Sequence, residues 1–316
     1  MKEIVIGSRG SKLALWQSEW VKARLEALEP AVSARIEIVK TMGDVRLDVP
    51  LSVIGGQGAF TKELEVALLD RRVDVAVHSL KDLPTVTPDG LCITATPERE
   101  DPRDALVLRA GAVSGNASLR NLAAGAVVGT SSLRRIAQLK HLRPDVQIKD
   151  LRGNVDTRLR KLDSGEYDAL ILASAGLRRL GFGERISAAI EPEEMLPAVS
   201  QGALGVETRA DDAETNALVS RLDDRRTRSA VVAERALLRF LGGGCQVPIA
   251  AHATVEGSRL KLDGLVATLD GGEVLRGSVE GDADDAAALG ERLAALLIER
   301  GAARLLEDTP AEVPEP

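Results

Sequence analysis

The hydrophobic period changes repeatedly along this chain, and the changes outline its elements. Residues 3–7 are an apolar run closed by Gly7, and Ser8 to Ser11 form a polar turn. Val21, Leu25 and Leu28 then recur at helical spacing until Pro30, which cannot continue a helix. Residues 35–40 alternate like a strand. Residues 61–69 read as a second helix with Thr61 as its N-cap. Residues 73–79 read as a strand running into a polar loop.

The pattern then recurs. Residues 126–129 form a strand ending in glycine, Thr130, Ser131 and Ser132 a polar turn, and 133–140 the start of a helix. Residues 167–176 are a strand into a small polar loop. The turn after residue 7 therefore echoes the turn after residue 129, and Asp74 to Ser79 echoes Asp168 to Ser174. Strands alternating with helices imply a mainly parallel sheet. The echo predicts two similar α/β domains facing one another, with a cleft suited to a ligand.

The charged, proline-containing segment 97–104 reads as an inter-domain hinge, and residues 110–119 as an exposed loop. Residues 192–206 are read as the segment that returns to the first domain. A third part begins near residue 222. It should hold a helix over 227–241, a glycine loop, strand-like runs at 247–253, 260–267 and 273–277, and a helix over 284–299. The acidic, proline-rich end of the chain is expected to be disordered.

Composition narrows the possibilities. The chain has 316 residues, 44% hydrophobic and 28% charged, an ordinary globular balance. Aromatics make up only 2%, so the core must be aliphatic. A net charge of −7 argues against a general nucleic-acid binder. The only cysteines are Cys92 and Cys245, too few for a disulfide scaffold. With three histidines and no CxxC, no metal site is expected. No apolar leader or membrane span is evident, and the expected location is the cytoplasm.

Four constellations could carry chemistry. The polar turns holding Arg9 and Ser11, and Thr130, Ser131 and Ser132 with Arg134 and Arg135, precede helices. Helix N-termini attract anions, and arginine matches carboxylate or phosphate; the same residues could also serve only as caps. Arg152, Arg158 and Arg160 flank the glycine turn at Gly153 and form either a solvated helix face or part of an arginine-rich pocket. Ser79, Lys81 and Asp82 follow a strand end, where active-site groups are often presented; Asp82 with Lys81 could equally be a surface pair. His78 reads as structural rather than as a base. Cys245 follows three glycines, either as an inert cysteine or as an accessible nucleophile.

Taken together, the segments SRGSKLALWQ, GGQGAFTKELEVALL, AVHSLKDLP, EREDPRDAL, VVGTSSLRR, LRGNVDTRL, YDALILASAGLRRLG, LPAVSQGALGVE and GGGCQVPI resemble the hydroxymethylbilane synthase (porphobilinogen deaminase) family along nearly the whole chain. The resemblance implies an α/β fold. Two periplasmic-binding-protein-like α/β domains would be joined to a small C-terminal α+β domain. The expected partition is residues 1–100 with 198–220, residues 101–197, residues 221–308, and a tail at 309–316. The resemblance implies a dipyrromethane cofactor bound covalently to Cys245, with porphobilinogen as substrate. Four porphobilinogens would be joined with loss of ammonia, and water would release the linear tetrapyrrole.

The family's essential aspartate maps onto Asp82. Its carboxylate-binding residues map onto Arg9, Ser11, Ser79, Lys81, Thr130, Ser132, Arg134, Arg135, Arg152 and Arg158; Ser131 and Gly153 belong to the same turns. Gln201 maps to the returning segment near the cofactor. Departures fall at Gln57, Met42 and Ser200, where the family often has lysine, arginine and glycine. A monomer is expected, with neither a nucleic-acid nor a membrane partner. The rival readings are a two-domain small-anion binding module without catalysis and the effector domain of a transcription regulator.

Overall fold

The structure, a computed structural model, describes residues 2–42, 61–109, 117–242 and 247–307. Cys245, Gln57 and the 309–316 tail lie outside the described residues. The chain forms two compact units, Met1–Glu100 with Ala203–Ser229, and Asp101–Gly202 with Ala230–Pro316.

The first unit holds β1 (Lys2–Ser8), α1 (Lys12–Leu28), β2 (Val32–Ile38), α2 (Lys62–Leu69), β3 (Val75–Ser79) and β4 (Leu91–Ala95). It is completed by β10 (Leu204–Arg209) and α6 (Ala213–Val219). Its sheet runs β2-β1-β3-β10-β4, with β10 antiparallel to both neighbours. Val75 and Val77 of β3 pack with Val21 and Leu25 of α1, while Ala76 packs with Leu64 and Leu68 of α2. Both faces of the strand are therefore covered, which explains its unbroken apolar run.

The second unit holds β5 (Asp104–Leu108), β6 (Val127–Gly129), α3 (Leu133–Leu142), β7 (Gln147–Lys149), α4 (Val155–Asp163), β8 (Ala169–Ala173), α5 (Ser174–Arg179) and β9 (Ala188–Ile190). This sheet runs β7-β6-β8-β5-β9, with β5 antiparallel to its neighbours. A separate antiparallel sheet joins β11 (Ile249–Glu256), β12 (Arg259–Ala267) and β13 (Val274–Asp282). Against it lie α7 (Arg225–Phe240), counted from Ala230 on, α8 (Ala286–Glu299) and α9 (Ala302–Glu307). Leu237, Leu260, Leu262, Leu293 and Leu297 form their shared core. Gly290 brings α8 so near α7 that a Cβ would run into the Ala233 carbonyl.

The sequence echo extends to individual hydrogen bonds. The Val5 amide donates to Asp74 Oδ2 at 2.9 Å, and the Val127 amide to Asp168 Oδ2 at 2.8 Å. The Asp74 and Asp168 amides donate back to the Val5 and Val127 carbonyls. Two α/β sheets of one strand order plus a small α+β part are thus the architecture observed. Among the described residues, no helix is long and apolar enough to cross a membrane.

Three expectations need correction. Thr61 occupies the N-cap position, but its side chain caps nothing; at ψ −32° its backbone departs from the extended form that aims a hydroxyl at the first turn. Asp104 is not a hinge residue but the first residue of β5, and it is fully buried. Leu119, at the end of the stretch read as an exposed loop, is buried against Leu106 and Leu139.

Candidate active site

In the first unit, the turn from β1 to α1 and the end of β3 line one solvent-open pocket of about 60 Å³. Its walls include Arg9, Ser11, Gln17, Thr61, His78, Ser79 and Asp82. Ser11 is the N-cap of α1, its Oγ accepting from the Ala14 amide at 3.3 Å. Gln17 Nε2 donates to Ser79 Oγ at 2.9 Å, fixing the end of β3 to α1. Leu80–Asp82 form a single 3-10 turn, which carries Lys81 and Asp82 past the strand end. The Leu80 amide donates to the Ala203 carbonyl. Among the described residues, no group donates a hydrogen bond to the Asp82 carboxylate. Behind the pocket, His78 Nε2 lies 3.0 Å from Glu207 Oε2, both buried.

In the second unit, two of the expected arginines, Arg134 and Arg135, surround one carboxylate. Arg134 Nη1 donates to Asp104 Oδ2 at 2.7 Å, and Arg135 Nη2 and Nε donate to Oδ1 at 2.8 and 3.1 Å. Gln201 Nε2 adds a bond to Oδ1 at 2.9 Å. Carbonyls of Leu196 and Ile171 take further guanidinium donors of Arg134 and Arg135. Burial alone would raise the Asp104 carboxyl, but the charges of Arg134 and Arg135 hold it well below the usual carboxylate range. Arg134 keeps one buried nitrogen, Nε, without a hydrogen-bond partner.

Arg158 donates from Nε to the Gly153 carbonyl at 2.7 Å. Burial, then the like charge of Arg135, pulls its guanidinium down to about 10. The like charges of Arg135 and Arg158 thus oppose one another, and an anion bound beside them would relieve that repulsion. Gly153 sits at φ +108°, a backbone form that needs glycine, so its part is to build the turn. Arg152 pairs with Asp150 at 2.8 Å. Ser131 Oγ bridges to the Leu151 backbone, and the buried Thr130 hydroxyl accepts from the Ser132 amide at 3.3 Å. Arg160, by contrast, lies exposed on α4.

Sequence reasoning passed over Gln17, Glu207 and Asp104. Gln17 had a signal: it falls on the same buried face of α1 as Ala14, Val21 and Leu25, where an apolar residue would be usual. Ser200, one of the departures, has φ +61°. This is the left-handed region that favours glycine, and the Ser200 amide there donates to Glu234 Oε2 at 2.6 Å.

The unit 2 cluster sets two guanidiniums, Arg134 and Arg135, against one fully buried carboxylate, with the Arg158 guanidinium near enough to Arg135 for their charges to oppose. Such a donor set fits a ligand with several carboxylates, and so fits a dipyrromethane that bears acetate and propionate groups. The comparisons agree. A family model described as porphobilinogen deaminase, dipyromethane cofactor binding domain, matches residues 4–217, and its C-terminal domain model matches residues 229–299. A porphobilinogen deaminase from Chromobacterium violaceum is 54% identical, with the match covering 99% of each chain. One from Syntrophobacter fumaroxidans is 50% identical over 96% of this chain and 97% of its own. With a family model matching most of its length and relatives identical at half their positions, the chain belongs to the porphobilinogen deaminase family.

Proposed function

We propose that this chain is a hydroxymethylbilane synthase whose reacting site is the Asp82 pocket and whose arginine cluster holds the carboxylates of the growing chain. The observation that carries the assignment is the Asp82 carboxylate, which lines a pocket with Arg9, Ser11 and Ser79 and receives no hydrogen bond from the described residues. Its partner is then the substrate. Porphobilinogen loses ammonia to leave a cation delocalised into its pyrrole ring. A fixed anion that accepts from the pyrrole N–H stabilises that cation. Arg9, Ser11, Ser79 and Lys81 orient the substrate carboxylates.

Arg134, Arg135, Arg152 and Arg158, with Thr130, Ser131 and Ser132, take the carboxylates of rings already joined. Gly153 shapes their turn, and Gln201 keeps Asp104 and Arg135 in register. When bound through Cys245, the dipyrromethane supplies the free pyrrole carbon that is extended. Cleavage of the bond between the finished tetrapyrrole and the primer, with a proton returned to the primer's pyrrole carbon, would leave a cation that water captures as linear hydroxymethylbilane. The expected partition, with residues 221–308 as the cofactor-bearing domain, fits the separate core around Leu260 and Leu293. A cytoplasmic monomer suits a small polar substrate taken from solution. A small-anion binding module is disfavoured by the full-length relatives.

One experiment tests the assignment, combining intact mass with single-turnover ammonia release on three proteins. The unmodified protein should be heavier than its sequence by one dipyrromethane. Cys245→Ala should lack that increment and release no ammonia. Asp82→Asn, supplied with preformed cofactor precursor, should carry the increment and release ammonia about 10²–10³-fold more slowly. Normal release by Asp82→Asn would remove this pocket from the chemistry.

A further inference from the structure

β3 brings a second titratable group to the Asp82 pocket. His78 lines that pocket yet is nine-tenths buried, with a relative exposure of 5%, and Glu207 is fully buried. Glu207 lies on β10, diagonal to His78 across the β3–β10 ladder, where a long side chain reaches its neighbour. The 3.0 Å contact allows the Glu207 carboxylate to accept from His78 Nε2–H, the arrangement the proposal requires. Nδ1 then carries the lone pair. Among the described residues, Glu207 alone is hydrogen-bonded to the ring.

The surroundings are acidic. Glu65 of α2 is held above the usual carboxylate range by burial first, with the charge of Glu207 adding to it. Glu63 stands beside it on the same helix, and Arg9 and Asp82 are the charges on the pocket side. Glu207 Oε1 is buried without a hydrogen-bond partner. A purely structural pair would not need a buried charge with a spare acceptor, since charge burial is costly.

We propose that His78 is the proton carrier of this pocket and that Glu207 is the residue that positions it. The inference rests on reading the Asp82 pocket as the reacting site. When the carbon–nitrogen bond of porphobilinogen breaks, its electron pair leaves with ammonia. The resulting cationic carbon bonds to the free α-carbon of the neighbouring pyrrole. The C–H bond at that α-carbon must then break; its electrons restore the aromatic ring and its proton goes to His78 Nδ1. The imidazolium, stabilised by Glu207, passes the proton to the departing ammonia or to water. One ammonia and one proton leave per condensation. Asp82 takes no part in this proton transfer and so remains available to the cation. Imidazole suits the transfer because its ordinary pKa lies near neutrality.

The test uses the cofactor-loaded full chain and porphobilinogen deuterated at its free α-carbon. His78→Asn should carry the dipyrromethane mass and bind substrate with little change in KM. Its turnover should fall about 10²-fold, and a primary isotope effect should appear, because unassisted C–H cleavage becomes limiting. Glu207→Gln should show a smaller loss with the same isotope effect. His78→Ala should regain rate with added imidazole. Nitrogen-15 NMR of the unmodified protein, with only His78, His141 and His252 labelled, should find His78 as the Nε2–H tautomer.

A normal rate in His78→Asn, or a slow rate without the isotope effect, overturns the proposal. The Nδ1–H tautomer in the unmodified protein overturns it even where the variants fail to fold. Asp82→Asn, run alongside, separates the two readings. If it is slow while His78→Asn is normal, only His78 is wrong. If it too is normal, the pocket itself is wrong.

Discussion

Replacing Asp104 by asparagine should destabilise the protein while changing almost none of its shape. Asp104 accepts from Arg134, Arg135 and Gln201 in a site with no exposure. Asparagine keeps one acceptor oxygen, but its amide faces guanidinium donors, and two buried cations lose their counter-charge. Breaking a buried ion pair by removing one partner costs about 3–5 kcal/mol. For a unit of roughly 150–250 residues, each kcal/mol moves Tm by about 2–4 °C, so a fall of about 10 °C is expected. The pH dependence follows from the direction of the shift. Asp104 has a folded-state pKa below its unfolded one, so its contribution is fully present above the unfolded value near ~3.9 and is lost as pH falls through the folded one. The gap between unmodified protein and Asp104→Asn should therefore be constant from pH 8 to about 5 and close only in stronger acid. Urea denaturation of both proteins across that range measures it. A difference below about 1 kcal/mol at pH 7 would refute a coupled cluster.

Arg158→Leu should leave the ligand-free protein as stable or more so, because burial and Arg135 already oppose its charge. The same variant should bind a tricarboxylate probe such as citrate at least about tenfold more weakly by calorimetry, a loss of 1.4 kcal/mol. Gly153→Ala should cost about 1–3 kcal/mol in denaturant midpoint, since φ is +108° and the new Cβ would meet Thr157 Cγ2 at 2.9 Å. An unchanged midpoint would show that the turn relaxes freely.

Local pattern revealed what local forces decide. The two α/β repeats were legible because β1 and β6 each end in a glycine followed by a polar turn, and because Asp74 and Asp168 precede β3 and β8 at matching places. Strand limits were less so: β13 runs to Asp282 and β2 begins at Val32, because hairpin pairing and sheet register set those ends. Asp82, Ser79 and the arginines stood out as charged or polar residues at strand ends and helix starts. Asp104 did not, since its neighbours in sequence are charged and its burial depends on arginines thirty positions away. Glu207 was hidden likewise; only the β3–β10 register brings it to His78.

These two hidden carboxylates share one logic. In each sheet the fourth strand, β10 or β5, is the antiparallel one, and each carries a buried acid. Glu207 stands opposite Ala76 of β3, and Asp104 opposite Ala173 of β8. Small partners leave room for an inward-facing carboxylate, and each carboxylate then organises nitrogen-bearing side chains. In the second unit these are arginines, which do not give up their protons in the physiological range, so that sheet presents fixed positive charge. In the first unit the partner is a histidine, which can lose and regain a proton near neutrality. The repeated fold thus carries one electrostatic device twice, and the residue that faces the carboxylate separates a site suited to holding carboxylates from a site suited to moving protons.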